Sequence, residues 1–229
     1  MGGAPSSRRM CGFNSACSPS MSSDRSSTVF CAQALRLAHP DPSQPPLFDG
    51  LSFELRPGLS LLRGGDGRGK TRCLRLIAGH LGAPAAGQIE CSLASADIFF
   101  EDQTDPALDA QLASAWLSGL RQRYATWRAD LEPALVDAFA LAPHLDKPLY
   151  MLSAGSRRKL GLMAAAVSGA RLTLLDTPFA ALDGRSIRVL GELLQEAALQ
   201  GERAWLLADY ERPVCLQGVD LMAEIDLGD

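Results

Sequence analysis

Eight consecutive residues constrain this chain more than any others: Gly64-Gly65-Asp66-Gly67-Arg68-Gly69-Lys70-Thr71. They spell G-x-x-x-x-G-K-[ST], after the apolar run 59–63 and before a stretch that puts Leu74, Ile77, Ala78 and Leu81 on one helical face. A strand that turns through glycines into a helix lets backbone N–H groups approach phosphate oxygens closely, and the helix N-terminus adds positive potential. The pattern predicts that Lys70 reaches the β- and γ-phosphates and that the Thr71 hydroxyl takes a magnesium position. The expected cofactors are ATP and Mg2+, on an α/β fold.

A second acidic strand completes the arrangement. Leu172-Thr173-Leu174-Leu175-Asp176 is apolar and ends in a carboxylate. A buried parallel strand would deliver Asp176 to its C-terminal edge, beside the glycine loop, where ligands collect in open α/β sheets. Asp176 is therefore the expected magnesium partner, acting mainly through water.

The rest of the chain follows a strand and helix grammar. Residues 29–37 and 47–55 read as strands separated by Pro40, Pro42, Pro45 and Pro46. A helix is expected over 70–80, then strand pieces near 88–93 and 97–100. From 106 to about 150 the pattern becomes helical, with Leu108, Leu112, Trp116, Leu120 and Tyr124, then Leu131, Leu135, Val136 and Phe139 at helical spacing. A helix over 155–169, a strand over 172–176, a helix over 186–199, a strand over 204–208 and a short helix and strand tail follow. Residues 1–28, rich in Ser, Gly and Pro without apolar periodicity, read as a segment without fixed structure. Residues 29–229 read as one domain.

Composition removes several function classes. The 22 Lys and Arg against 26 Asp and Glu leave a net charge of -4, which gives no broad footprint for nucleic acid. No run approaches the roughly 20 apolar residues a membrane crossing needs. Six cysteines without a C-x-x-C pair or nearby histidines suggest neither a zinc site nor a disulfide framework, and fit reduced thiols in a cytoplasmic protein.

Between the glycine loop and the acidic strand stands Leu152-Ser153-Ala154-Gly155-Ser156, followed by Arg157-Arg158-Lys159; after the strand comes Ala181-Leu182-Asp183. This order resembles the ABC ATPases. The resemblance covers residues 30 to about 212. It implies a P-loop ABC cassette: a RecA-like core sheet, an antiparallel β subdomain and an inserted helical lobe over about 106–165. In that family two subunits pair head to tail, so Ser153 and Gly155 would face the γ-phosphate held by a second chain. A helix start carrying Ser153 and the N–H of Gly155 suits an anion. By the same resemblance, Gln103 occupies the position of a glutamine that senses magnesium and the attacking water. His39 falls near an adenine-stacking position, although its sequence setting also fits an exposed loop. Within the family, Leu47-Phe48-Asp49-Gly50-Leu51-Ser52-Phe53, the Leu-Ser-Ala-Gly form and Pro178-Phe179-Ala180-Ala181-Leu182-Asp183 are similar to the ATP-binding subunits of cytochrome c biogenesis (heme export) systems. Such subunits sit at the inner face of the membrane, dimerise with themselves or a second ATPase subunit, and dock on membrane-spanning subunits.

Two positions depart from the family pattern. Thr177 stands where a glutamate would polarise water, and a threonine hydroxyl accepts no proton at neutral pH. Tyr210 stands where a histidine would meet the γ-phosphate. Phosphate and metal binding are expected to survive, with hydrolysis weak or absent. Two readings follow: a transport ATPase subunit, or a nucleotide-gated interaction module that does not turn ATP over. Asp209 and Glu211 are each one residue out of register to replace the missing groups.

Overall fold

The computed structural model describes residues 28–100 and 106–228. Gln103 and all but Thr28 of the segment 1–28 lie outside the described residues.

Two sheets organise the chain. In the smaller, β1 (Phe30–Leu37) lies between β2 (Phe48–Leu55) and β4 (Ala86–Cys91), all antiparallel. The larger sheet contains β3 (Gly58–Arg63), β5 (Ile98–Phe99), β6 (Leu172–Asp176), β7 (Ala204–Asp209) and β8 (Ala223–Asp226). Its order is β5-β6-β7-β3-β8, and every neighbouring pair is parallel. A parallel sheet is covered on both faces, which explains why β3, β6 and β7 read as apolar runs without alternation.

The pleat divides those runs between two cores. Leu62, Leu172, Leu174, Leu206 and Ala208 pack with α1 (Lys70–Ile77) and the apolar face of β1 and β2. Leu59, Leu61, Leu175 and Leu207 point the other way, onto α2 (Ala113–Arg123), α4 (Ala154–Val167) and α5 (Gly184–Leu199). The short α3 (Glu132–Ala138) packs on α4 through the partly buried Leu135 and Val136. The expected α/β fold, with parallel core sheet, antiparallel sheet and helical insertion, is the observed one.

Helix ends differ from the sequence reading for local reasons. α1 stops at Ile77 rather than near residue 80. Gly79 takes a φ of 75°, while the N–H of Gly79 donates to Leu76 O at 3.1 Å and that of His80 to Arg75 O at 2.8 Å. That pair of bonds is the Schellman closure, which apolar spacing does not reveal. The apolar repeat from Leu108 to Tyr124 does not form one helix either. Residues 109–112 run beside 148–150 instead, with Leu149 N–H donating to Gln111 O at 2.9 Å and Tyr150 N–H to Asp109 O at 3.0 Å. After a single 3-10 turn at Pro106–Leu108, the α-helix begins only at Ala113.

Candidate functional site

The C-terminal edge of the parallel sheet carries the site. β3 ends at Arg63 and the chain enters the glycine loop, which delivers Gly69 as the N-cap of α1 with φ 93° and ψ 14°. A side chain is disfavoured there twice over. The left-handed conformation penalises a Cβ, and that atom would lie 3.0 Å from a methyl of Leu47. The loop is braced from below by the chain's tail, where Gly65 N–H donates to Gly228 O at 2.9 Å and Leu227 N–H to Arg63 O at 2.9 Å.

Lys70 is 7% exposed. Its ammonium donates to Gly64 O at 2.5 Å and Gly65 O at 2.8 Å, curling back over the loop. The Tyr210 ring faces the same ammonium, 4.2 Å from nitrogen to centroid. Hydrogen bonding to the negatively charged Asp66 carboxylate raises the Tyr210 phenol above its ordinary value, so this ring remains a neutral phenol at neutral pH. Thr71 Oγ1 donates to Asp176 Oδ2 at 2.6 Å, joining residues 105 positions apart. Both expected magnesium positions within the described residues are thus in direct contact.

Around these groups lies an open cavity of about 400 Å3, lined by His39, Pro40, Leu47, Asp176, Thr177 and Tyr210. The loop residues from Asp66 to Thr71, together with Arg72, also line it. His39 therefore borders the loop, with its Nδ1 accepting from Asp41 N–H at 3.0 Å. Ser153 and Gly155 line no part of this cavity. Ser153 caps α4, accepting from Ser156 N–H at 3.1 Å. Gly155 lies against the Ala181-Leu182-Asp183 segment, since a Cβ there would meet Ala181 O at 2.5 Å.

Thr177 holds an unusual backbone, with φ 41°, between a bond from its N–H to Ala208 O at 2.8 Å and one from Ala180 N–H to its carbonyl at 3.1 Å. Beside it, desolvation raises the Asp209 carboxyl above the ordinary carboxylate value. Asp209 does not line the cavity, and its Oδ1 accepts the N–H of Tyr210 at 2.8 Å.

Sequence reasoning missed two basic residues. Arg158 Nη1 donates to Asp176 O at 2.7 Å, tying α4 to the end of β6. Its presence in a run of three basic residues was the available signal, but nothing in the run says which of them turns inward. Arg72 was passed over because the pattern ends at Thr71.

The donor set fits Mg-ATP. Among the described residues there is no cluster of three or more His, Cys, Asp or Glu side chains that could cage a metal alone. One hydroxyl and one carboxylate beside an anion-binding loop are what magnesium needs when phosphates complete its shell.

A family model described as ABC transporter matches residues 48–180, a span containing the glycine loop, Ser153, Gly155 and Asp176. This chain belongs to the ABC transporter family. Among curated ABC relatives, the cytochrome c biogenesis ATP-binding export protein CcmA of Ruegeria pomeroyi is 36% identical over 165 residues, covering 69% of this chain and 76% of that protein. The protein of the same name from Rhodopseudomonas palustris is 38% identical over 157 residues, covering 66% and 78%. A solved ATP-binding subunit of an ABC transporter superposes with a TM-score of 0.68 at 21% identity, covering 80% of each chain. The ABC cassette fold expected from the motifs is therefore the fold of this chain.

Proposed function

We propose that this chain is the ATP-binding subunit of an ABC transporter complex of the cytochrome c biogenesis, heme export type, and that it binds Mg-ATP at a dimer interface with weak intrinsic hydrolysis. The observation that carries the reading is the 2.6 Å contact between the Thr71 hydroxyl and the Asp176 carboxylate, at the mouth of the glycine loop. The names of the curated relatives support the transport assignment.

In this reading residues 29–229 are one nucleotide-binding domain, with 106–165 as its helical lobe. The backbone of Gly64 to Lys70 holds the phosphates, and Lys70 turns its ammonium from the loop carbonyls toward them. Thr71, Asp176 and Gln103 serve the magnesium ion, and His39 borders the base. Ser153 and Gly155 complete the site of a second copy or a second ATPase subunit, consistent with their distance from their own cavity. Tyr150 and Met151, exposed just before α4, suit docking on membrane-spanning subunits. No helix among the described residues is long and apolar enough to cross a membrane, which suits a peripheral position on its inner face.

Thr177 and Tyr210 favour a second reading, a nucleotide-gated module that closes on ATP without consuming it. Losing a general base slows such a reaction by about 10²- to 10⁴-fold, whereas the glycine loop, Lys70, Thr71 and Asp176 are in place. Both readings are tested by sedimentation with and without Mg-ATP. The chain should dimerise only with nucleotide, and Lys70→Ala should stay monomeric. A chain that neither binds ATP nor changes its association state would refute both.

A further inference from the structure

Ser153 is exposed at the start of α4, while Ser156, three residues on, is buried. Ser153 Oγ accepts the Ser156 N–H at 3.1 Å, and the two hydroxyl oxygens lie 3.0 Å apart, close enough for either to donate. Behind them stands His144, at the end of the 3-10 turn Ala142–His144 in the helical insertion, with its Nε2 3.4 Å from Ser156 Oγ. Three polar side chains therefore form a relay from the insertion to the exposed end of α4. Neither His144 nor Ser156 lines the glycine-loop cavity.

The imidazole gives this relay a direction. Burial, with Lys147 and Lys159 adding to it, lowers His144 below its ordinary value, so the ring is neutral at neutral pH. One ring nitrogen then carries the proton and the other accepts. Nδ1 is shut off from solvent and has no hydrogen-bond partner among the described residues. A buried N–H without an acceptor is rare in folded proteins, and the available partner decides which nitrogen is protonated. The proton therefore belongs on Nε2, which donates to Ser156 Oγ. A second donation into Ser156, from Ser153, would fill both of its lone pairs and strand its own proton inside the fold. Ser156 donates to Ser153 instead, and the Ser153 proton is left for an acceptor outside the chain.

Resting on the reading that Ser153 completes the site of a second subunit, we propose that His144 is a positioning residue: acting through Ser156, it turns the Ser153 hydroxyl into a donor for the γ-phosphate held by that subunit. A terminal phosphate presents acceptor oxygens, so Ser153 must meet it with a proton rather than a lone pair. His144 touches no nucleotide and sets only which of the two Ser153 offers.

The test is sedimentation of the full chain with Mg-ATP, which reads the dimer, beside titration with Mg-ADP, which reads the chain's own cavity. Wild type is compared with His144→Leu, His144→Gln, Ser156→Ala and the double variant His144→Leu/Ser156→Ala. His144→Leu fills the space without a donor and should raise the dimer dissociation constant about 10- to 100-fold, because a dimer holds two relays and each is worth one neutral hydrogen bond. His144→Gln should recover most of the loss, since its amide N–H can stand in for Nε2. Ser156→Ala should match His144→Leu, and the double variant should lose no more than either alone, whereas independent structural effects would add. Mg-ADP has no γ-phosphate for Ser153 to meet, so its affinity should follow wild type. A dimer that His144→Leu leaves unchanged, a loss that His144→Gln fails to restore, additive losses in the double variant, or a parallel loss of Mg-ADP binding would overturn the role of His144 alone. A wild-type chain that binds Mg-ADP yet stays monomeric with Mg-ATP would overturn the second-subunit reading of Ser153 and this inference together.

Discussion

Thr177 sits with φ 41°, in a region where a β-branched side chain crowds its own backbone. Its N–H and carbonyl are both committed, to Ala208 and Ala180, so the neighbours impose the conformation. Strain of this kind costs of order 1–3 kcal/mol. Asparagine tolerates the left-handed region, so Thr177→Asn should stabilise the nucleotide-free chain by about 1 kcal/mol in urea unfolding. A loss of stability would show that the threonine side chain makes a compensating contact. Asp183 responds instead to pH. Backbone and side-chain hydrogen bonds from Ser186 hold its carboxyl down at about 2, with Lys159 adding a smaller effect. The unfolded chain takes up that proton first, near the ordinary carboxylate value of about 4. The stabilisation is therefore complete above pH about 4 and fades between about 4 and 2. Thermal midpoints measured across that window should fall less steeply in Asp183→Asn than in wild type.

The helices are held by contacts that apolar periodicity does not encode. The last turn of α4 ends on Arg203, whose guanidinium donates to Ala165 O at 3.1 Å, Ala166 O at 3.0 Å, Ala170 O at 2.7 Å and Thr173 Oγ1 at 3.0 Å. Burial pushes this guanidinium down to about 10, still charged at neutral pH. Helix-end carbonyls need a donor, and hydrogen bonds to charged groups are worth about 1.5–3 kcal/mol. Arg203→Met should therefore cost about 3 kcal/mol of unfolding free energy, and a change within about 0.5 kcal/mol would show that water replaces the guanidinium. The start of α4 is equally confined. With Ala181 O only 2.5 Å from the added carbon, Gly155→Ala should cost about 1–3 kcal/mol, as overpacking does. It should also displace the Ala181-Leu182-Asp183 segment, which chemical shifts of that segment would report.

Across the molecule, what was legible in the sequence tracks how local its physical cause is. The strand-loop-helix unit around Lys70 and the apolar run ending at Asp176 were legible because their patterns are contiguous and both lie in the central parallel sheet. The break at residues 109–112 was not, because it depends on pairing with 148–150, distant in sequence. Nor were Arg72 and Arg158, since a cation on a helix reads as solvent-facing until the helix is placed against the sheet. His39 could be read as an exposed loop residue, and only the folded β1–β2 connection brings it to the cavity. The central idea, a phosphate grip retained without its general base, rests on Thr177 and Tyr210 beside an intact loop. Its most direct test is bound nucleotide and released phosphate measured together with Mg-ATP, for wild type, Lys70→Ala and Thr177→Glu. Binding by wild type with little phosphate release, release restored by Thr177→Glu and both abolished in Lys70→Ala are the expected results. Rapid release by wild type that Thr177→Glu leaves unchanged would contradict the idea, and would place the catalytic carboxylate elsewhere in the chain.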